Sequence, residues 1–138
     1  MVTALNKIKT ILDGISSTIL PLKFKYLESK PSSFPAAMLI SNGFSESMFT
    51  NESNQVVESF TIRLIYPQTE STAGYEKWLT LADTVSAEFR KKVNQTLSGE
   101  AVNFMVNQGL APAFSDTEYI QPVVIFDIIV EAKFIKQI

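Results

Sequence analysis

Histidine and cysteine are both absent from this chain of 138 residues, so the side chains that most often serve as bases, nucleophiles and metal ligands near neutral pH are missing. Ser-His and Cys-His nucleophile pairs cannot form within it. Disulfides and zinc–thiolate sites are excluded as well. Any catalysis or metal binding would rest on carboxylates, and the closest pairs are Glu46 with Glu52, Asp116 with Glu118, and Asp127 with Glu131. Two carboxylates alone can run glycoside hydrolysis when one stays protonated and the other ionised. Asp127 and Glu131, however, stand four apart on one strand face without being neighbours, and they read as solvated surface. Asp116 and Glu118 fall in a loop, where acidic residues are ordinary. The five glycines are scattered and form neither a GxGxxG nor a P-loop pattern. The chain therefore reads as a non-enzyme, with no catalytic, cofactor-binding or metal-binding residue assigned.

The remaining polar and aromatic groups have structural readings. Arg90-Lys91-Lys92 is the densest basic cluster, and it suits the C-terminal end of a helix, where cations complement the dipole. With a net charge of −2 and no basic stripe, the composition does not point to a nucleic-acid binder. Tyr75 and Trp78 share helical register with Ala82, Val85 and Phe89, which places them in a core and not on a stacking platform. No run approaches the ~18 apolar residues of a membrane span, and the N-terminus does not have the pattern of a signal peptide. The glycosylation triplets at Asn51 and Asn94 carry little weight without a secretion signal. Met48 and Phe49 stand apart, as two large apolar side chains inside a polar stretch. They either fold back over a sheet edge or anchor a partner, since methionine and aromatics are enriched at interface cores.

Periodicity gives the elements that would position these residues. Val2, Leu5, Ile8, Ile11 with Leu12, Ile15 and Ile19 recur at threes and fours, predicting a helix over 3–19 that ends before Pro21. Gly14 weakens that helix without excluding it. Alternation predicts a strand over 22–28, then a turn at 29–33, then a short strand over 36–41 led by Phe34-Pro35. Residues 45–54 predict a loop or hairpin tip. In the strand over 55–66, Phe60, Ile62, Leu64 and Tyr66 form one face, with Ser59, Thr61, Arg63 and Ile65 on the other. A helix over 73–92 follows, then a strand over 102–106 and an irregular stretch over 107–118. The last strand, over 120–134, puts Phe126, Ile128, Val130, Ala132 and Phe134 on one face. Ile125, Asp127, Ile129, Glu131 and Lys133 make up its other face.

The order α-β-β-β-α-β-β, without linker or repeat, predicts a single α+β domain over 1–138, with a mostly antiparallel sheet and two helices packed on one face. The strands over 55–66 and 120–134 belong near the middle of that sheet. Ile65, Ile125 and Ile129 put apolar groups on its second face, and a neighbouring subunit is one candidate cover. Together with Met48 and Phe49 they form the candidate subunit or partner interface.

This order resembles the tail terminator proteins of long-tailed bacteriophages over nearly the whole chain. Four stretches carry the resemblance. They are the amphipathic helix ending near Pro21, Phe34-Pro35-Ala36-Ala37-Met38-Leu39-Ile40, Glu58 to Tyr66 ahead of the Trp78 helix, and the long strand from Pro122 to Phe134. Neck and tail-completion proteins of phages are similar in pattern. The resemblance implies no catalytic residues and no cofactor. It implies a homohexameric ring assembled in the host cytoplasm that sits in the virion at the head-proximal end of the tail. There the ring would cap the tail tube protein, stop its polymerisation and dock the neck connector, with DNA passing through the lumen without specific binding. The contrasting expectation is a small ligand-binding α+β domain with a polar pocket under the second helix.

Overall fold

A computed structural model describes residues 2–17, 19–24, 34–68, 72–91, 94–97, 101, 103–109, 112–115 and 122–137. The first helix, α1 (Val2–Asp13), buries Ala4, Ile8 and Leu12, one residue per turn along a single stripe. It is shorter than the spacing predicts. The Gly14 amide donates to the carbonyls of both Thr10 (3.2 Å) and Ile11 (3.1 Å), closing the last turn. A Cβ at position 14 would lie 3.2 Å from the Ile11 carbonyl oxygen, which is tighter than ordinary contact. Beyond it Ile15 and Leu20 still point into the core, whereas Ile19 is 45% exposed. The apolar spacing thus continues past the point where the helix stops.

The remaining elements are β1 (Leu22–Phe24), β2 (Ala36–Thr50), β3 (Ser53–Pro67), α2 (Thr72–Arg90), β4 (Asn103–Gly109), β5 (Ala113–Ser115) and β6 (Val123–Gln137). The predicted turn at 29–33, Asp116, Glu118 and Ile120 lie outside the described residues. The sheet runs β1-β2-β3-β6-β4, with β5 also paired to β6. Among the described residues the β1–β2 pairing is parallel, and β2–β3, β3–β6, β4–β6 and β5–β6 are antiparallel. The fold is α+β. The two strands with the strongest alternation, β3 and β6, stand side by side in the middle and pair along their full length. Short β5 falls in the stretch read from sequence as irregular. It continues along β6 the edge that β4 begins, because β4 pairs with 128–133 and β5 with 123–125.

Both helices contribute to one core cluster on one face of the sheet. Ile8 and Leu12 of α1 and Leu81, Ala82, Val85 and Phe89 of α2 pack with Phe60, Ile62 and Leu64 of β3 and Ile128, Val130 and Ala132 of β6. Phe89 meets Phe104 of β4 edge to face at 6.1 Å, a favoured aromatic geometry. The α2 stripe starts later than its spacing predicts, because Tyr75 is 43% exposed. Trp78 is the first aromatic of the stripe to reach the body, stacking on Tyr66 with ring centroids 5.1 Å apart. At the far end of α2, Arg90 lies in the last turn and Lys91 pairs with Glu88 at 2.8 Å.

The Tyr66 side chain is fully buried, and its hydroxyl has no hydrogen-bond partner among the described residues. Burial holds this phenol above its ordinary value of 10.0, and nearby Tyr75 adds to the effect. A group whose folded pKa is raised contributes stability below its unfolded pKa and loses it as pH climbs toward the folded one. Stability should therefore fall as pH rises above about 10. Tyr66→Phe keeps the stack on Trp78 and removes the unpaired hydroxyl. It should raise stability at neutral pH by about 1 kcal/mol and flatten the alkaline decline. Denaturant melts of both chains at neutral pH and above the phenol range read this directly, and a loss of stability on substitution would mean that the hydroxyl is paired.

Candidate functional site

The longest departure from the predicted elements falls in a segment whose outer part is exposed. The hairpin tip that is one of the two readings of 45–54 is present, at Asn51-Glu52, but the strands leading to it are longer than expected: β2 and β3 form a hairpin with 15 residues in each strand. At roughly 3.3 Å per residue each strand reaches about 50 Å. Past Ile40 every described β2 residue is exposed or half-buried, so the outer half of β2 is solvated on both faces and its sequence shows no alternation. Backbone pairing continues regardless, from Phe44↔Glu58 to Thr50↔Ser53. The two-residue turn at Asn51-Glu52 is held by a 2.7 Å contact between the hydroxyls of Thr50 and Ser53 and by the Glu52 amide donating to Thr50 Oγ1. Hydroxyl-to-backbone bonds of this kind stabilise tight turns.

A β-bulge lies midway along the hairpin. The pairing shifts between Ser41 and Phe44, and Gly43 takes a φ of +89°, a region that favours glycine. The Asn42 side-chain amide crosses to β3 and donates to Thr61 Oγ1 at 2.7 Å. One inserted residue moves every later side chain to the opposite face. Phe44, Glu46 and Met48 accordingly lie across from Glu58, Val56 and Asn54. Phe49 is the additional residue at a second irregularity, between Met48 and Thr50. Met48 is 78% exposed, Phe44 61% and Phe49 59%. The sequence singled out Met48 and Phe49 but missed Phe44, whose signal was an aromatic standing between Gly43 and a run of polar residues. The arm is also more than a two-stranded ribbon, because β6 pairs β3 as far as Ser53↔Gln137. Its tip is thus carried on three strands.

The second sheet face is less open than the sequence suggests. Ile65, expected on an uncovered face, is fully buried in a small cluster with Met38 and Val123, against which Phe34, Ile40 and Ile125 pack. It offers no surface to a neighbour. Ile125 and Ile129 are half-buried and remain available. The row between them holds an ion pair that sequence reasoning missed: Arg63 Nε and a terminal guanidinium nitrogen donate to the two Asp127 oxygens at 2.9 and 3.1 Å. No signal in the sequence singled this pair out, since β3 also holds Glu58 and β6 also holds Glu131, Lys133 and Lys136. Asp127, read as solvated, is instead held with its side chain 16% exposed. Glu131 accepts from the Asn107 side chain at 2.6 Å. The two carboxylates thus engage different partners and do not act on a shared point. No group of three or more acidic residues among the described residues is placed to hold a metal ion.

An open groove of about 480 Å³ lies beside the second helix, walled by Ile19, Pro21, Phe34, Pro35, Trp78 and Leu81. Its polar rim includes Thr80, Thr84 and Lys77. Thr80 and Thr84 donate to the helix carbonyls of Glu76 (2.8 Å) and Thr80 (2.9 Å), so both hydroxyl protons are already engaged. The Lys77 ammonium lies 5.2 Å from the Trp78 ring centroid. Among the described residues this is a mainly apolar trough with one cation, Lys77, at its edge. The described residues do not supply the convergent polar groups that orient a small metabolite.

No helix among the described residues is long and apolar enough to cross a membrane. No family model matches this sequence, and no characterised protein matches it.

Proposed function

We propose that this chain is a non-catalytic assembly module that joins copies of itself head to tail into a closed ring. Within that class, the reading we favour is a tail terminator of a long-tailed bacteriophage. In that role a ring, taken as a hexamer, sits in the virion at the head-proximal end of the tail. It caps the tube protein, halts its growth and presents a docking surface to the neck connector, while DNA passes through the lumen without specific contacts. Assembly takes place in the host cytoplasm.

One observation carries the reading: a three-stranded arm bears three exposed large apolar side chains, Phe44 midway along it and Met48 and Phe49 near its tip. Exposed apolar groups along an extended element cost solubility and gain nothing for the isolated chain. They make sense where a partner covers them. The engaged hydroxyls and divided carboxylates described above weigh against the ligand-binding alternative.

Electron microscopy of tails carrying a gold-labelled copy of this chain tests the placement. The label should mark only the end of the tube that meets the head. Label at the distal tip, or on heads without tails, would overturn the terminator reading in favour of a tip protein or a head-bound connector.

A further inference from the structure

We propose that the groove beside α2 receives the tip of the hairpin arm from a second copy of this chain. The inference rests on the ring reading and deepens it by naming both halves of the contact. The first support is positional. Pro35, in the groove wall, immediately precedes β2. Met48 and Phe49 lie near the far end of that same 15-residue strand. Allowing for the bulges, the two features are about 40–50 Å apart along a paired strand. No chain can place its own tip in its own groove while that strand stays paired, so knob and hole are satisfied only between molecules. A contact joining two different patches is heterologous, and its repetition closes into a ring when the rotation per step divides the circle.

The second support is size and chemistry. A groove of about 480 Å³ with mostly apolar walls falls in the roughly 300–1,000 Å³ range of sites that engulf compact apolar groups. It has room for two large side chains and not for a whole strand. Met48 and Phe49 are adjacent, exposed and apolar. The methionine is unbranched and flexible, so it adapts to an irregular trough.

Charge is the third support. From Ala36 to Ile62 the chain has no lysine or arginine, and its charged residues there are Glu46, Glu52 and Glu58. Glu46 and Glu52 flank the tip and are exposed. The groove's rim cation is Lys77. An acidic tip approaching a groove edged by a cation is favoured in orientation and in rate of encounter.

The absence of native cysteine makes disulfide trapping a clean test. Met48→Cys goes into one preparation and Thr80→Cys into another. Both positions are exposed, so neither change disturbs the core. A disulfide forms only when Cα atoms come within about 7 Å. On mixing and mild oxidation the two singly substituted chains should give a cross-linked heterodimer. The chain carrying both changes should give a ladder that ends in a covalently closed ring. Native mass spectrometry of the unmodified chain is run in parallel. A ring without the cross-link would overturn the groove contact and leave the ring standing. A chain that stays monomeric and uncross-linked would overturn both. A cross-link from position 80 to a tube or connector protein, and none between copies, would assign the groove to that partner and overturn self-docking.

Discussion

If the parent closes into the proposed rings, a chain carrying Met48→Thr and Phe49→Asp together will remain monomeric at the same concentrations, and its melting temperature will stay within about 2 °C of the parent. Both halves of this expectation follow from exposure. Met48 and Phe49 are 78% and 59% exposed, so the isolated fold draws little from them. Threonine suits a strand, and the aspartate sits at the bulge, where no ladder pair is lost. In the assembled state the sum changes. Full burial of one such side chain is worth about 1.5–3 kcal/mol, so the pair contributes about 3–6 kcal/mol to each contact. Burying an unpaired carboxylate in its place adds a further penalty. Each contact should weaken by about a hundredfold or more. Sedimentation of the two chains over a dilution series measures this, with thermal melts alongside. Rings forming normally from the variant would remove the arm from the interface.

Phe60→Ala should do the opposite, leaving the arm's chemistry intact while taking away much of the stability. Phe60 is fully buried in the main core and sits in the central strand, paired to Ser41 on one side and Val130 on the other. Truncating a buried phenylalanine costs about 3–5 kcal/mol through lost transfer energy and the cavity left behind. For a domain of this size that corresponds to a melting temperature lower by about 10–20 °C. It is a large share of the roughly 5–15 kcal/mol that holds a typical domain together. At low temperature, where the variant still folds, it should assemble. Calorimetry gives the first number and sedimentation at low temperature checks the second. A small thermal loss would mean the core closes around the missing ring. Together the two variants separate residues that hold the fold from residues that use it.

The parts of this molecule that were legible in the sequence are those where burial writes a period. β3 and β6 show alternating side chains because each has one face against the helices, and both were located to within a few residues. The outer half of β2 was not legible, because no face of it is buried and nothing forces alternation on its side chains. Its backbone pairing with β3 is the whole of its structure. The bulge at Gly43 compounds this by reversing which residues share a face, and it hid Phe44. Helix α1 misled in the other direction: the apolar spacing runs on through Ile15, which is buried without being helical. Ile65 was placed on the correct face, but its cover by Met38, Val123 and Phe34 depends on contacts remote in sequence. Arg63 and Asp127 needed the β3–β6 register before they could be paired. Of the candidate surface, Met48 and Phe49 were visible as an oddity of composition. The groove was not, because its walls come from three separated segments.

Native mass spectrometry of the purified chain, at concentrations spanning its association, tests the central claim most directly. One discrete closed species is expected, six copies with no larger series, in exchange with monomer. A chain that is monomeric throughout, or one that builds an open-ended ladder of ever larger assemblies, would contradict it.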